Sequence, residues 1–396
     1  MARSILVLMC DSGGGHRSVA DAITGALEYL FPGRYDFHLA DIIAEGYPFP
    51  LSAAGRLYGP VVDRLPRPWG LLWHSSNGRR RSLFLLQVVA PLSFDRIQEI
   101  VRTAEPDVIV STHPCANHAV AWLRQRHQWG TPLITVVTDL VSIHRWWLCP
   151  AADLCLVPTE QARRRALDAG FETDRVKVVG MPISLKFLDA PSGKQQLRKQ
   201  LGLREDDLTV LVIGGGEGMG NVFSISRAVA QAGLDIQLVV VAGRNQALKS
   251  KLESASWEVP TRVLGFVDNM PTLMHSADLL VTKAGPSTMS EALSCGLPML
   301  ISGALRGQEE GNAEWAVATG AAIFSPTPEK LVLALRGLAR NGAESLARMR
   351  QRAREAARPD AALNAARLIN HVANPRSEET TQQADLNLRA DLSTGS

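Results

Sequence analysis

Short apolar runs, each closed by a turn and followed by an amphipathic stretch, recur along this chain and limit what it can fold into. Runs of three to five apolar residues suit strands covered on both faces, as in a parallel sheet. Residues 5–9, 108–110, 133–137 and 154–157 read this way in the first half, and 210–213, 238–242, 279–282 and 299–301 in the second. After the first run, Val19, Ile23, Ala26, Leu27 and Leu30 recur at the 3/4 spacing of one helix face. Strand and helix in alternation predict an α/β protein with parallel sheets. At 396 residues the chain outgrows a single core. The stretch 182–207, with Pro, Gly and a charge-rich run, divides it. The expected units are residues 1–190 and 191–373, with a hinge within 185–205. Two helices, 346–357 and 360–372, are separated at Pro359, and a polar, disordered tail covers 374–396.

Charge and cysteine content exclude several classes. With 42 Lys plus Arg against 39 Asp plus Glu, the net charge of +3 does not fit a general nucleic-acid binder. Five scattered cysteines without a CxxC indicate neither a disulfide framework nor a zinc site. No run approaches the roughly 18 apolar residues that span a bilayer. The first apolar run stops at Cys10, short of a signal-peptide core. The expected location is cytoplasmic, with any membrane contact peripheral.

Ligands of open parallel sheets bind beyond the C-terminal strand ends, and four polar or glycine-rich turns stand there. The first, Asp11-Ser12-Gly13-Gly14-Gly15-His16, precedes a helix whose free N–H groups favour anions. Its His16 is a candidate base; a structural hydrogen bond would account for a lone histidine equally well. The second spans 214–220 and includes Gly215, Gly216, Glu217, Gly218 and Met219. It is out of register for GxGxxG and lacks the Lys-Ser/Thr of a P-loop, which disfavours a dinucleotide and a dehydrogenase. The third, Lys283-Ala284-Gly285-Pro286-Ser287-Thr288, opens a helix carrying Glu291 on the face of Ser287. It suits a diphosphate followed by a ribose, or a plain capped helix. The fourth, 306–312, presents Gln308, Glu309 and Asn312 as sugar-reading groups, in a composition that a solvated loop shares.

Residues 46–94 lack the α/β alternation and combine six arginines (Arg56, Arg64, Arg67, Arg79, Arg80, Arg81) and one Asp with Tyr47, Phe49, Tyr58, Trp69, Trp73 and Phe84. Cationic and aromatic side chains together suit an anionic membrane surface. A basic surface insertion has the same composition.

Taken together, these residues resemble the monogalactosyldiacylglycerol synthases and the related bacterial diacylglycerol glucosyltransferases. The likeness rests on residues 8–17, Pro106-Asp107-Val108-Ile109-Val110-Ser111-Thr112-His113-Pro114, and Thr138-Asp139-Leu140 with His144-Arg145-Trp146-Trp147. Gly180-Met181-Pro182-Ile183, the turn 214–220, Gly265-Phe266-Val267-Asp268-Asn269-Met270-Pro271, residues 282–288 with Glu291, and residues 307–312 continue it. It covers roughly residues 4–372. It implies a GT-B fold of two Rossmann-like domains, with the diacylglycerol acceptor on the first and the UDP-hexose on the second. It also implies an inverting transfer without metal or cofactor, galactose being favoured over glucose. His16 matches the base, and Asp11 or Asp139 would orient it. The uracil site matches Phe266 and Val267, the diphosphate falls to the second turn and to Ser287 and Thr288, and the ribose to Glu291. Gln308, Glu309 and Asn312 would read the sugar. Trp69, Trp73, Arg79, Arg80, Arg81, His144 and Trp146 would face acceptor and membrane, with the enzyme held peripherally on the inner membrane. Ser287 stands where the family often has Gly, so its side chain either gains a phosphate contact or crowds one. The alternatives are a glucosyltransferase acting on diacylglycerol, an N-acetylglucosaminyltransferase of the peptidoglycan type, a UDP-sugar epimerase, and a silent UDP-sugar sensor.

Overall fold

A computed structural model describes residues 2–11, 14–188, 192–340 and 342–374. The expected tail beyond Asn374, residues 189–191 of the linker, and Ser12 and Gly13 of the first turn lie outside the described residues. The first sheet contains β1 (Arg3–Met9), β2 (Tyr35–Asp41), β3 (Val108–Ser111), β4 (Leu133–Val136), β5 (Leu154–Val157) and β6 (Val176–Val178), in the order β2-β1-β3-β4-β5-β6. The second contains β7 (Leu208–Ile213), β8 (Ile236–Val241), β9 (Thr261–Leu264), β10 (Leu279–Lys283), β11 (Met299–Gly303) and β12 (Ala322–Phe324), in the order β12-β11-β10-β7-β8-β9. Every pairing is parallel. The eight apolar runs all become strands, and their continuous burial explains why they were legible. Ile5, Val7 and Leu8 are sealed from solvent, as are Val108, Ile109 and Val110.

Helix α1 (Gly15–Leu30) starts at the first glycine turn, where Gly14 holds φ 80°, a conformation that costs glycine little. Its buried face is Val19, Ala20, Ala22, Ile23, Ala26 and Leu27. The last helix, Ala361–Ala373, crosses back from the second half and lies on α1 through alanines, whose small side chains permit close approach. Arg3 donates to the Ala373 carbonyl, and the Tyr35 hydroxyl donates to Asn370 Oδ1 at 2.6 Å. Asn374, read as the start of the tail, is instead buried and donates to the Tyr35 oxygen at 2.8 Å.

Residues 46–94, which gave no clear pattern, form three 11-residue helices: α2 (Ala54–Arg64), α3 (Pro66–Ser76) and α4 (Arg79–Val89). Their apolar residues do not all turn inward. Among the described residues, eleven of the sixteen large apolar side chains that are exposed lie between Phe49 and Leu92, so this surface differs from the rest of the molecule.

Asp278, just before β10, anchors the second half. Lys194 Nζ and Arg350 Nη2 reach its Oδ1 at 2.8 and 2.7 Å, and Arg198 pairs with its Oδ2, which also accepts from the Thr209 N–H at 2.9 Å. Burial opposes the charge on Asp278, yet Lys194, the Thr209 N–H and Arg198 outweigh it and hold the carboxyl below its usual range. Lys194 is itself lowered, because burial and the crowding cations Arg350 and Arg198 exceed what one carboxylate returns. Asp278→Asn leaves these cations uncompensated and should cost about 3 kcal/mol in chemical denaturation. Because the folded carboxyl titrates lower than the unfolded one, this contribution is full at neutral pH. It is lost as pH falls through the lowered folded value. An unchanged denaturation midpoint would contradict this role.

Candidate active site

In parallel sheets the ligand crevice opens where the chain order reverses. That reversal occurs at β1, flanked by β2 and β3, and at β7, flanked by β8 and β10. The turn carrying His16 follows β1, the turn 214–220 follows β7, and Gly285, Pro286, Ser287 and Thr288 follow β10. All of them border one cavity of about 870 Å³, a volume typical of small-molecule sites. A Cβ added to Gly15 would lie 3.5 Å from Ser287 Oγ, so the first and third turns face one another. Of the residues given a catalytic, substrate-binding or acceptor-facing role from the sequence, all line this cavity except Gly218, Asn312, Arg79, Arg80 and Arg81.

His16 Nδ1 lies 2.8 Å from the Thr112 carbonyl and 3.0 Å from the Thr138 hydroxyl. A carbonyl only accepts, so Nδ1 carries the proton and Nε2 keeps a free lone pair. His113 meets the ring edge-on at 4.6 Å between centroids, and Trp147 lies at 6.0 Å. Burial lowers the imidazole to about 4, against the Thr112 carbonyl and the Asp41 charge, which raise it. Neither expected aspartate hydrogen-bonds to this ring. Asp11 gives its backbone N–H to Asp41 Oδ2 at 3.0 Å, while Asp139 accepts from Trp147 Nε1 at 2.8 Å. Orientation of His16 falls to Thr112 and Thr138, because β3, next to β1, and β4, next to β3, bring the polar residues after their ends to the ring. Asp41 reached the site through β2, a strand with no apolar run to announce it.

On the opposite wall, Lys283 pairs with Glu309, and its side chain lies beside both Gly215 and Gly285. This puts a cation between the second and third turns. Glu309 Oε2 also accepts from the Leu305 N–H at 3.1 Å. Arg244 pairs with Glu217 at 2.8 Å and stacks over Phe266 at 4.6 Å from the ring centroid. Neither Lys283 nor Arg244 was given a role from the sequence; Lys283 ends β10 and Arg244 stands in the turn after β8, the kind of position that identified the glycines. Ser287 Oγ is buried and has no hydrogen-bond partner, and burial raises Glu291 to about 7. Gly218 serves backbone packing instead of contacting the cavity: it holds φ 60°, and a Cβ there would lie 2.2 Å from the Ala242 carbonyl.

Asn312 stands apart from Gln308 and Glu309. Its Oδ1 accepts from the Val141 N–H at 3.2 Å and its Nδ2 donates to the Ala284 carbonyl at 3.1 Å. The amide is buried, lies off the cavity and joins the two halves. Gln308 does line the cavity, where the Tyr58 hydroxyl donates to its Oε1 at 3.1 Å. Burial raises Asp139 to about 6, against hydrogen bonds from Trp147 and Gln308. Helix α3 closes this side: Trp73 packs on Gly307 and meets His144 at 4.8 Å, while Ser76 Oγ lies 3.1 Å from His144 Nε2. Arg79, Arg80 and Arg81 stand outside, exposed at the start of α4. Among the described residues no group of three or more His, Cys, Asp or Glu could hold a metal ion.

The buried imidazole gives a direct check. NMR titration of His16 should show a midpoint near pH 4 in place of the usual 6.5. Asp41→Asn should move it lower still, since that carboxylate favours the imidazolium. A midpoint near 6.5 would refute the buried, neutral state.

Comparison with known proteins agrees with this geometry. A family model described as monogalactosyldiacylglycerol (MGDG) synthase matches residues 16–183, and one described as glycosyl transferases group 1 matches residues 193–356. Probable monogalactosyldiacylglycerol synthase 2 of Oryza sativa subsp. japonica is 35% identical, over 83% of this chain and 72% of that protein. Monogalactosyldiacylglycerol synthase 1 of Arabidopsis thaliana is 33% identical, over 91% and 69%. Among solved structures, Acinetobacter baumannii MurG aligns with a TM-score of 0.61 at 17% identity, over 93% of this chain and 99% of that one. Anabaena HepE in complex with UDP-glucose aligns at 0.57 and 17%, over 95% and 99%. At such identity these two speak for the fold alone, which is GT-B. Extended similarity at about one third identity, with the family model over the half that carries His16, shows that the chain belongs to the monogalactosyldiacylglycerol synthase family of glycosyltransferases.

Proposed function

We propose that this enzyme transfers a hexose, galactose in preference to glucose, from its UDP-sugar to 1,2-diacylglycerol, yielding a β-monoglycosyldiacylglycerol. The observation that carries the reading is the single cavity uniting the His16 turn with the helix start at Ser287. In this reading residues 1–190 hold the acceptor and 191–373 the donor. The diphosphate lies against Gly215, Gly216, Ser287, Thr288 and Lys283, where free N–H groups and a cation meet negative charge without a metal. Phe266 and Val267 flank the uracil, Glu291 accepts from the ribose hydroxyls, and Gln308 and Glu309 read the hexose.

The acceptor hydroxyl attacks the anomeric carbon on the face opposite UDP. Its proton passes to His16 Nε2, the bond from that carbon to the β-phosphate oxygen breaks, and UDP leaves with the electron pair. Base assistance of this kind contributes roughly 10²–10⁴-fold. The neutral imidazole is fully available at pH 7, and Asp41 stabilises the imidazolium that forms. Purified protein with diacylglycerol vesicles and either UDP-galactose or UDP-glucose should yield a glycolipid, faster with galactose. No product from either donor would overturn the proposal. His16→Ala should lower turnover at least about 10²-fold while UDP affinity is retained; near-normal turnover would remove His16 as the base.

The acceptor lies in a bilayer, and among the described residues no helix is long and apolar enough to cross one. Helices α2–α4 and the turn before them supply the docking surface in this reading: Phe49, Leu71 and Phe84 are 83%, 74% and 64% exposed, with Arg79, Arg80 and Arg81 also exposed. Each arginine near anionic headgroups contributes about 1 kcal/mol. The triple replacement of these arginines by Ala should weaken binding to anionic vesicles by at least about tenfold. Equal binding of both proteins would refute the surface.

A further inference from the structure

We propose that Tyr58 positions the Gln308 amide for the donor hexose, so that a helix of the acceptor half sets how a sugar held by the other half is read. The inference rests on the reading of Gln308 above and extends it. Tyr58 lies on α2 and Gln308 in the loop after β11, 250 positions later, and both line the cavity. The tyrosine hydroxyl is 3.1 Å from Gln308 Oε1. Its ring is held in turn by Trp69 of α3, which meets it edge-on at 5.3 Å between centroids. The two halves approach closely here because a glycine stands on each side. A Cβ at Gly70 of α3 would lie 2.8 Å from Arg306 Cβ, and one at Gly307 would lie 2.5 Å from Trp73 Cδ1. Helices α2 and α3 therefore sit directly on residues 306–308.

Hydrogen-bond chemistry fixes which way the amide points. A phenol donates or accepts, so Tyr58 alone would tolerate either end of the amide. Asp139 removes the choice. Its carboxyl titrates at about 6, so at neutral pH it is mainly charged and only accepts, and Gln308 donates to it. This turns Nε2 to Asp139 and leaves Oε1 to take the Tyr58 proton. Asp139 is itself held by Trp147 Nε1 at 2.8 Å. A primary amide has two N–H donors and a carbonyl with two lone pairs. Tyr58 and Asp139 engage one of each, and the others remain for a pair of sugar hydroxyls. Glu309, beside it, is tied within its own half, to Lys283 and the Leu305 N–H. Gln308 thus takes its orientation from the opposite half. Without those partners the side chain would have to lose its rotamer freedom on meeting the hexose, which weakens binding.

The test follows transfer to diacylglycerol vesicles from UDP-galactose and from UDP-glucose by the wild type, Tyr58→Phe, Gln308→Ala and the double variant. Tyr58→Phe keeps the ring on Trp69 and removes only the hydroxyl. It should raise KM for UDP-galactose at least about threefold, as expected for one neutral hydrogen bond. The ratio of kcat/KM for the two donors should move towards one. Inhibition by UDP, which carries no hexose, and KM for diacylglycerol should stay as in the wild type. In the Gln308→Ala background the same change should have no further effect on KM for UDP-galactose, since the two residues act through one contact. An unchanged donor KM in Tyr58→Phe overturns the inference, as does an effect that persists without Gln308 or falls equally on UDP. If Gln308→Ala itself leaves the donor KM unchanged, or the wild type transfers from neither donor, the reading of the site fails and this inference with it.

Discussion

A parallel sheet opens a crevice only where its strand order reverses, and this protein sets two such reversals against each other. Everything chemical follows from that constraint. The end of β1 delivers His16, the ends of β3 and β4 deliver Thr112 and Thr138, and the ends of β7 and β10 deliver the second and third turns. The C-terminal helix lying on α1, and the Asn312 amide bridging Val141 and Ala284, hold the two sheets in this facing arrangement.

Burial sets the charge pattern of the site. The same desolvation that lowers His16 to about 4 raises Asp139 to about 6 and Glu291 to about 7. Each of these groups is thereby biased towards its neutral form, which suits a cavity that must admit an uncharged lipid hydroxyl. Positive charge is concentrated on the other wall, where Lys283 and Arg244 stand beside glycine turns.

How far the fold was legible follows from where each strand sits. The four strands with no apolar run, β2, β6, β9 and β12, are the four edges of the two sheets. An edge strand has a neighbour on one side only, so partly exposed stretches such as Tyr35–Asp41 and Thr261–Leu264 carry no continuous apolar signal. The segment 46–94 broke the alternation for a different reason: it is helical, with no strand between α2, α3 and α4, and it leaves many apolar side chains exposed.

The sequence by itself determined the interior strands, the glycine turns at their ends and the residue types available there, because burial and tight turns restrict composition locally. Tertiary structure decided which polar groups meet. Thr112 and Thr138, in place of Asp11 or Asp139, hold His16, because hydrogen bonds between residues about a hundred positions apart leave no local trace. Likewise, Asn312 looked like a sugar ligand and became an internal strut once both ends of its amide found backbone partners. The unpartnered hydroxyl of Ser287 likewise exists only as a relation between three-dimensional neighbours, since satisfaction of a polar group is a property of its surroundings.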